Sequence, residues 1–414
     1  MGEGFAMEKG QGRAVVQLLH CWCWRILFLL VACQPLDQPL DHASSNQDHP
    51  DLAQQEVSEE GRTEATGTED SFIADFKREA GALKKREEPR SVEPQKEEDL
   101  STIRLMVVGD TMMAGNMGKV MDEKGIEYPL SQFMPILKQA DFLLANLETA
   151  VGTSGQLAEK TYAFQTDPSK LEMFTPLKGK ILFTLANNHS LDAPLDETLH
   201  HLDQRGFPYV GVGHNLEQAF QPYVSEINGI SFAVISASRV IPSTDWAAGK
   251  DSPGMASAYS DEPLLSTVKH WANQVDMVIV YLHWGEERKD KPNKVQLELE
   301  EKLVAAGANL IVGAHPHVLQ EIKWRDTQKL TAFSLGNFVF TTSTNQTANY
   351  TMVLDIQLTA EQISAVKIWP GKIDFGLIRY LDEDNPERDQ VIQRLQQLSP
   401  TVTIEWDGTV KRKE

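Results

Sequence analysis

Cysteine is almost absent from this chain, which has three cysteines among its 414 residues. All three, Cys21, Cys23 and Cys33, lie within the first tenth of the sequence. The long body that follows therefore has no thiol for a disulfide framework, a thiolate metal site or a nucleophile. Any chemistry in that body must use oxygen and nitrogen side chains.

A net positive charge is also lacking, because 59 Asp and Glu residues outnumber 39 Lys and Arg residues and give a formal net charge of -20 at pH 7, with an isoelectric point near 5.0. A nucleic-acid surface needs a basic stripe, so we expect no nucleic-acid partner. The sequence contains neither a Gly-x-x-x-x-Gly-Lys-[Ser/Thr] loop nor a His-Glu-x-x-His helix. It therefore matches neither a P-loop ligase nor that class of metallopeptidase.

Long apolar runs are missing too, and the N-terminal run of residues 26–32 is too short to span a bilayer. It follows Arg25 and ends in Leu30-Val-Ala-Cys33, which resembles the bacterial lipobox. This predicts a signal peptide over residues 1–33, with Cys33 lipidated as the mature N-terminus. The alternative is an uncleaved N-terminal anchor. Both predict a body on the outer face of the bacterial cytoplasmic membrane.

Residues 34–100 are poor in apolar side chains and have more than twice as many acidic as basic residues. Such a composition cannot bury enough surface to fold, so we predict a disordered acidic tether. The folded body is predicted to begin at residue 101. Residues 101–345 form its main domain, and residues 346–414 add strands and a helix that complete or flank it.

Five apolar runs in this body each lead into side chains that can bind metals. They are residues 104–108 before Asp110, 141–145 before Glu148, 181–186 before Asn188 and His189, 276–282 before His283, and 309–312 before His315 and His317. Such runs are typical of buried parallel strands, whose C-terminal ends share one edge of a sheet. Carboxylate, amide and imidazole groups hold Mn, Fe or Zn, often in pairs. The pattern therefore predicts a metal site at that edge.

Each of these residues taken alone also fits a structural role. Asp110 fits a turn, Asn188 a helix cap, His283 a packed histidine, and the histidines around Pro316 a polar loop. Asp192 fits either a helix cap or a partner that orients His189.

Local signals predict several further elements. Residues 128–140 have helical periodicity, Asn228-Gly229 indicates a hairpin turn, and Gly307 marks the end of a helix. Residues 402–406 are predicted as the last strand. Asn337, after Gly336, is interpreted as a structural turn residue.

The motifs at these strand ends occur in a fixed order. They are Gly109-Asp110-Thr-Met, Ala145-Asn-Leu-Glu148, Ala186-Asn-Asn-His189, His283-Trp-Gly285, Gly313-Ala-His-Pro-His317 and Ser334-Leu-Gly-Asn-Phe338. Together they resemble the calcineurin-like metallophosphoesterases, and more closely the CapA-type capsule proteins linked to poly-γ-glutamate synthesis. The resemblance implies an α/β (α+β) fold of the metallo-dependent phosphatase type. This fold is a four-layer αββα sandwich of two mixed β-sheets flanked by helices.

The resemblance also implies roles for individual residues. Asp110 and His317 would bind a first divalent ion, Glu148 would bridge, and Asn188, His283 and His315 would bind a second. His189 would act as the proton donor. Two positions depart from the phosphoesterase pattern, because Met112 occupies the place of a histidine and Glu148 that of an aspartate. With one imidazole missing, we expect the first ion to bind more weakly.

Three functions are compatible with these features. The first is a membrane-anchored metallohydrolase of the phosphoesterase type acting in capsule synthesis. The second is a non-catalytic factor that binds or exports an anionic polymer such as poly-γ-glutamate beside membrane synthase subunits. The third is a metal-dependent hydrolase of an amide bond in the cell envelope.

Overall fold

The computed structural model describes residues 101–413. The predicted signal peptide with Cys33 and the predicted tether of residues 34–100 lie outside the described residues. None of the helices formed by residues 101–413 has the length and hydrophobicity needed to cross a bilayer.

The described part of the chain alternates between short strands and helices. The strands are β1 (Ile103–Thr111), β2 (Phe142–Leu147), β3 (Ala150–Val151), β4 (Gln165–Thr166), β5 (Ile181–Thr184), β6 (Tyr209–Val210), β7 (Val212–Gly213), β8 (Tyr223–Ile227), β9 (Ile230–Ser238), β10 (Gly254–Met255), β11 (Met277–His283), β12 (Leu310–Ala314), β13 (Ile322–Asp326), β14 (Lys329–Ala332), β15 (Asn337–Val339), β16 (Tyr350–Leu358), β17 (Ile363–Asp374), β18 (Leu377–Tyr380), β19 (Val402–Ile404) and β20 (Thr409–Arg412). The α-helices are α1 (Gly115–Lys124), α2 (Met134–Leu137), α3 (Leu195–Arg205), α4 (Leu216–Phe220), α5 (Glu262–Trp271), α6 (Lys294–Ala306) and α7 (Arg388–Leu398). Three 3-10 segments lie at Pro168–Leu177, Thr244–Trp246 and Gln346–Asn349.

The fold is built on two mixed β-sheets. The larger has ten strands in the order β19-β20-β17-β16-β1-β2-β5-β6, with β15 paired to β1 and β18 to β17. In it β1, β2 and β5 run parallel, whereas β16 is antiparallel to β1. The smaller has six strands in the order β13-β14-β12-β11-β9-β8. Its four inner strands are parallel, and its two edge strands are antiparallel. Residues after 345 supply the strands β16 to β20 of the larger sheet.

Each sheet buries both of its faces, which explains why its central strands are apolar without interruption. In β1, Val107 packs into a core shared with Ile279 of the smaller sheet. The neighbouring Met106 points the opposite way, into a second core beneath α1, α2 and α3. A third core joins the outer face of the smaller sheet to α4, α5 and α6. The layers are therefore helix, sheet, sheet and helix, and the predicted four-layer α/β sandwich is confirmed.

Local structure agrees with the sequence at two turns. Asn228 and Gly229 both have positive φ, of 53° and 77°, and join β8 to β9 as a two-residue hairpin. Gly307 ends α6 in the left-handed conformation, with φ of 115°.

The prediction for residues 128–140 is wrong, whereas that for residues 402–406 is confirmed over Val402–Ile404 only. The first segment is mostly turns, and its only helical turn is α2. Pro135 lies in the first turn of α2, where its missing N–H is tolerated, and it would break a helix that started further upstream. The last predicted strand is shorter and belongs to a hairpin of β19 and β20, whose turn includes Gly408 with φ of 90°.

Candidate metal centre

The predicted ligands gather where the parallel strands of the two sheets end. Asp110 is the penultimate residue of β1, and Glu148 directly follows β2. His283 is the last residue of β11, and His315 directly follows β12. Parallel strands direct their carboxyl ends to one edge of a sheet, so strands from both sheets supply side chains to a common site.

Short distances join these side chains across the two sheets. Nε2 of His283 lies 3.4 Å from Oε1 of Glu148, and Nδ1 of His317 lies 3.2 Å from Oδ2 of Asp110. Donor atoms form two compact groups, Glu148 with His315 and His317, and Asp110 with Glu148 and His283; within each group they lie within 4.8 Å of one another. Glu148 belongs to both groups, so it is placed between two potential ion positions.

Asn188 and His189 come from the loop that follows β5. Oδ1 of Asn188 is 2.6 Å from Nε2 of His283, which brings the amide into the same cluster. Thus the structure brings together every residue predicted as a ligand. Their roles as ligands stay predictions.

The donor set fits a divalent cation because Glu148 is otherwise poorly accommodated. This side chain is fully buried, and among the described residues neither carboxylate oxygen has a hydrogen-bond partner. Burial, and then the charge of Asp110, raise the pKa of Glu148 well above its usual value. A buried carboxylate without hydrogen bonds is costly unless a cation neutralises it.

The histidines complement this acidic pair. Burial, and then the neighbouring His315, lower the pKa of His283 well below its usual value, so its ring is neutral and able to bind a metal. Burial also disfavours a charge on His317. The charges of Glu148 and Asp110 outweigh that effect and raise the pKa of His317 to about 10. The acidic pair thus favours a cation at this place, and a divalent ion would also supply one.

The loop with the two histidines has a strained backbone. His315 and His317 both have positive φ, of 93° and 56°. Such conformations cost non-glycine residues about 1–3 kcal/mol each and persist where the surroundings impose them. Here the His315 N–H donates to Oδ2 of Asp110 over 3.2 Å, and the Arg288 N–H donates to the Pro316 carbonyl over 2.8 Å. Two of the five non-glycine residues with positive φ in residues 101–413 are therefore predicted metal ligands.

Two buried asparagines behind the ligands have no role in the sequence-based prediction. The side-chain amide of Asn146 donates to Oδ1 of Asp110 over 2.8 Å. Its own oxygen accepts a 3.0 Å hydrogen bond from the Asn187 amide, which also donates to the Leu147 carbonyl. Groups that orient ligands in this way tune metal affinity. Their signal in the sequence was an amide directly after an apolar run.

His189 is held by a carboxylate and a lysine. Its Nδ1 lies 2.7 Å from Oδ2 of Asp192, so Asp192 orients His189, whereas the cap position of α3 is occupied by Pro194. Nζ of Lys160 is 2.5 Å from Oδ1 of Asp192 and 2.5 Å from the Asn188 carbonyl oxygen. Burial lowers the pKa of His189 despite its hydrogen bond to Asp192. The arrangement leaves Nε2 as the ring nitrogen that can serve a substrate.

The interpretation of Asn337 as a turn residue is wrong. Asn337 opens β15, is 2% exposed, and has its Oδ1 2.8 Å from Nδ1 of His317. Asn337 therefore lies among the predicted metal ligands. Sequence reasoning missed it because Gly-Asn is a common turn signal.

Comparison with known proteins gives two relatives of similar identity. The chain is 31% identical over 254 residues to "PGA biosynthesis protein CapA" of Bacillus subtilis, covering 59% of this chain and 65% of the relative. It is 30% identical over 275 residues to "Capsule biosynthesis protein CapA" of Bacillus anthracis, covering 64% of this chain and 66% of the relative. The matches thus span slightly less than two thirds of each relative's length.

Two solved structures align with this chain at low sequence identity. A novel phosphatase from Mycoplasma pneumoniae aligns with a TM-score of 0.41 and 13% identity, over 68% of this chain and 95% of that one. The NAD nucleotidase of Haemophilus influenzae aligns with a TM-score of 0.40 and 12% identity, over 73% of this chain and 64% of that one.

A sequence profile of a protein family also matches this chain. The profile described as bacterial capsule synthesis protein PGA_cap matches residues 104–342, which is more than half of the chain and includes every predicted ligand. The chain therefore belongs to the PGA_cap family of bacterial capsule synthesis proteins.

Proposed function

We propose that this chain is a membrane-anchored, extracellular protein of capsule or poly-γ-glutamate synthesis whose metal centre hydrolyses a phosphate ester. The observation that carries the proposal is Glu148. This fully buried carboxylate has no hydrogen bond within the described part of the chain, and it belongs to both groups of metal-binding side chains. A carboxylate with only a structural role in that position would destabilise the fold, because no hydrogen bond offsets the cost of burying it.

Two divalent ions of Mn, Fe or Zn fit the donor set. Following the phosphoesterase pattern, Asp110 and His317 would hold the first ion, Asn188, His283 and His315 the second, and Glu148 both. The two compact groups divide these side chains differently, with His315 beside His317 and Asp110 beside His283, so the assignment to each ion rests on that pattern. When bound, such ions polarise a phosphoryl group and acidify a water molecule.

The remaining steps belong to protein side chains. Once protonated, His189 donates a proton from Nε2 to the leaving oxygen, and the Asp192 carboxylate at Nδ1 offsets part of the cost of burying the charged imidazole. Lys160 fixes the other oxygen of Asp192 and the Asn188 carbonyl, so the proton donor and a ligand keep a constant relative position. The ring of Phe164, 5.2 Å from that of His189, shields the donor from water.

The cellular role is supported by the family and by the N-terminal sequence. The relatives carry names that refer to capsule and PGA biosynthesis. The motif ending in Cys33 supports a lipid anchor, and the location outside the cytoplasmic membrane follows from that anchor. The partners in this role are an anionic polymer such as poly-γ-glutamate and the membrane synthase that makes it.

A second function, polymer binding without turnover, is favoured by one observation. Met112 stands where the phosphoesterase pattern has a histidine, which weakens the first ion position. A centre with one firmly bound ion would hold an anionic polymer without the paired-ion chemistry. Hydrolysis of the polymer's amide bonds by the same centre is the third possibility.

The experiment uses the purified full chain with Mn²⁺ and three substrates. These are an alkyl phosphomonoester and a dialkyl phosphodiester, whose alkoxide leaving groups need protonation, and poly-γ-glutamate. We expect turnover of a phosphate ester that falls about 100-fold or more in His189→Ala, as for loss of a general acid. His214→Ala, at an exposed position, is the matched control and should retain turnover.

The other outcomes separate the alternatives. Shortening of poly-γ-glutamate without ester hydrolysis would favour the amidase. Binding of the polymer without hydrolysis of any substrate would refute the phosphoesterase proposal and favour the assembly factor.

A further inference from the structure

The first ion position lacks the histidine of the phosphoesterase pattern, and Met112 does not replace it. Met112 is 5% exposed, and its sulfur accepts a hydrogen bond from Oγ1 of Thr149 over 3.2 Å. The sulfur is thus committed to Thr149. Thioether sulfur is also a soft donor, unlike the carboxylates of this centre.

Asn337 lies beside this position through strand pairing. β15 runs parallel to β1, and the register places Asn337 directly opposite Asp110. The two residues come from distant parts of the sequence, and both side chains are buried. The short strand β15 therefore delivers an amide to the place where the carboxylate of β1 points.

The orientation of the amide is fixed by its nitrogen. Nδ2 of Asn337 donates to the Ala348 carbonyl over 3.2 Å and lies 3.5 Å from the His317 carbonyl oxygen. Oδ1 is consequently the atom directed at the cluster, 2.8 Å from Nδ1 of His317. Oδ2 of Asp110 is 3.2 Å from the same nitrogen. Donors that share one metal ion at about 2.0–2.2 Å lie roughly 3 Å apart, a spacing that the 2.8 and 3.2 Å distances from Nδ1 of His317 match, as hydrogen bonds also would.

We propose that Oδ1 of Asn337 is a ligand of the first ion position and substitutes for the missing histidine. The inference rests on the proposed metal centre and adds a donor to it. An amide oxygen in place of an imidazole makes the first position harder, so it should favour Mn²⁺ or Mg²⁺ over Zn²⁺ more strongly than the histidine-rich second position.

A simpler role must be distinguished from this one. If Asn337 serves only as an acceptor that orients His317, loss of that contact also lowers metal affinity. Affinity alone does not separate the two roles. The visible absorption of bound Co²⁺ does, because its d–d bands depend on the number and kind of atoms that coordinate the ion.

The test titrates the metal-free full chain with Mn²⁺ by calorimetry and with Co²⁺ by absorption spectroscopy. Asn337→Ala should weaken the lower-affinity ion at least tenfold, change its Co²⁺ spectrum and leave the tighter ion unaffected. Asn337→Asp, which keeps an oxygen at the position, should retain both ions and provides the answer if the alanine variant does not fold. Met112→Leu is a volume-conserving control and should match the wild type in both measurements.

The outcomes separate this inference from the proposed centre. Wild-type affinity for both ions in Asn337→Ala, or weaker binding with an unchanged Co²⁺ spectrum, would overturn the ligand role alone. A loss in Met112→Leu equal to that in Asn337→Ala would overturn it as well. If the wild type binds neither metal, the proposed metal centre fails, and the role of Asn337 fails with it.

Discussion

Replacing Glu148 by glutamine should stabilise the metal-free protein while removing its response to metal. The glutamine side chain has the same shape but no charge to bury. In the wild type, both oxygens of Glu148 lack hydrogen bonds among the described residues, and the pKa of this carboxyl is raised by burial and by Asp110. Glutamine leaves its polar atoms equally buried, but an unsatisfied charged group costs more than the about 1–3 kcal/mol of a neutral one, so we expect a gain of about 2 kcal/mol from removing the charge. For a chain of this size, that is a rise of about 3 °C in Tm.

The pH dependence of stability tests independently whether Glu148 destabilises the metal-free protein. A carboxyl whose folded-state pKa is raised binds its proton more tightly in the native than in the unfolded state. The destabilisation by Glu148 is therefore absent below about pH 4, where both states are protonated, and grows as pH rises above the ordinary pKa of Glu. The advantage of Glu148→Gln should follow that dependence.

The assay is thermal unfolding of the full chain in EDTA and in excess Mn²⁺, at several pH values. Glu148→Gln should melt above the wild type in EDTA, and Mn²⁺ should raise the Tm of the wild type but not that of Glu148→Gln. Glu123→Gln, at an exposed position, should match the wild type throughout. A lower Tm for Glu148→Gln in EDTA at pH 7 would refute the reasoning, because Glu148 would then stabilise the fold without metal.

Three further changes test other parts of the structure. Asn146→Ala removes the amide that orients Asp110, so Mn²⁺ affinity measured by calorimetry should fall about 10–100-fold while the fold is retained. Gly313→Ala places a Cβ against the Phe333 carbonyl oxygen and Trp284 Nε1; urea unfolding should show a loss of about 3 kcal/mol or more. Cys33→Ala should abolish incorporation of labelled palmitate in cells, and labelling that persists in the variant would contradict the lipid anchor.

The sequence was most informative where local pattern and sheet geometry coincide. Uninterrupted apolar runs predict strands buried on both faces, and Val107 and Met106 do bury opposite faces of β1. Parallel strands end at one edge, so polar residues that follow those runs are expected to meet. Asp110, Glu148 and His283 lie together for this reason.

The sequence was least informative where a short element depends on a distant partner. β15 has three residues and no apolar period, and only its pairing with β1 places Asn337 opposite Asp110. The Gly336-Asn337 pair is a turn signal, so it predicted a turn where Asn337 lies in a strand beside Asp110. The helix prediction for residues 128–140 was wrong for another reason. Their periodicity is helical, but Pro135 confines the helix to one turn.

The most direct test of the central claim is the metal content of the purified full chain by elemental analysis. Wild type, His315→Ala and His214→Ala would be measured together. We expect bound Mn, Fe or Zn, up to two ions per chain, in the wild type and in His214→Ala, with a clear loss in His315→Ala. No metal in the wild type after exposure to each ion, or equal metal in all three proteins, would contradict that claim.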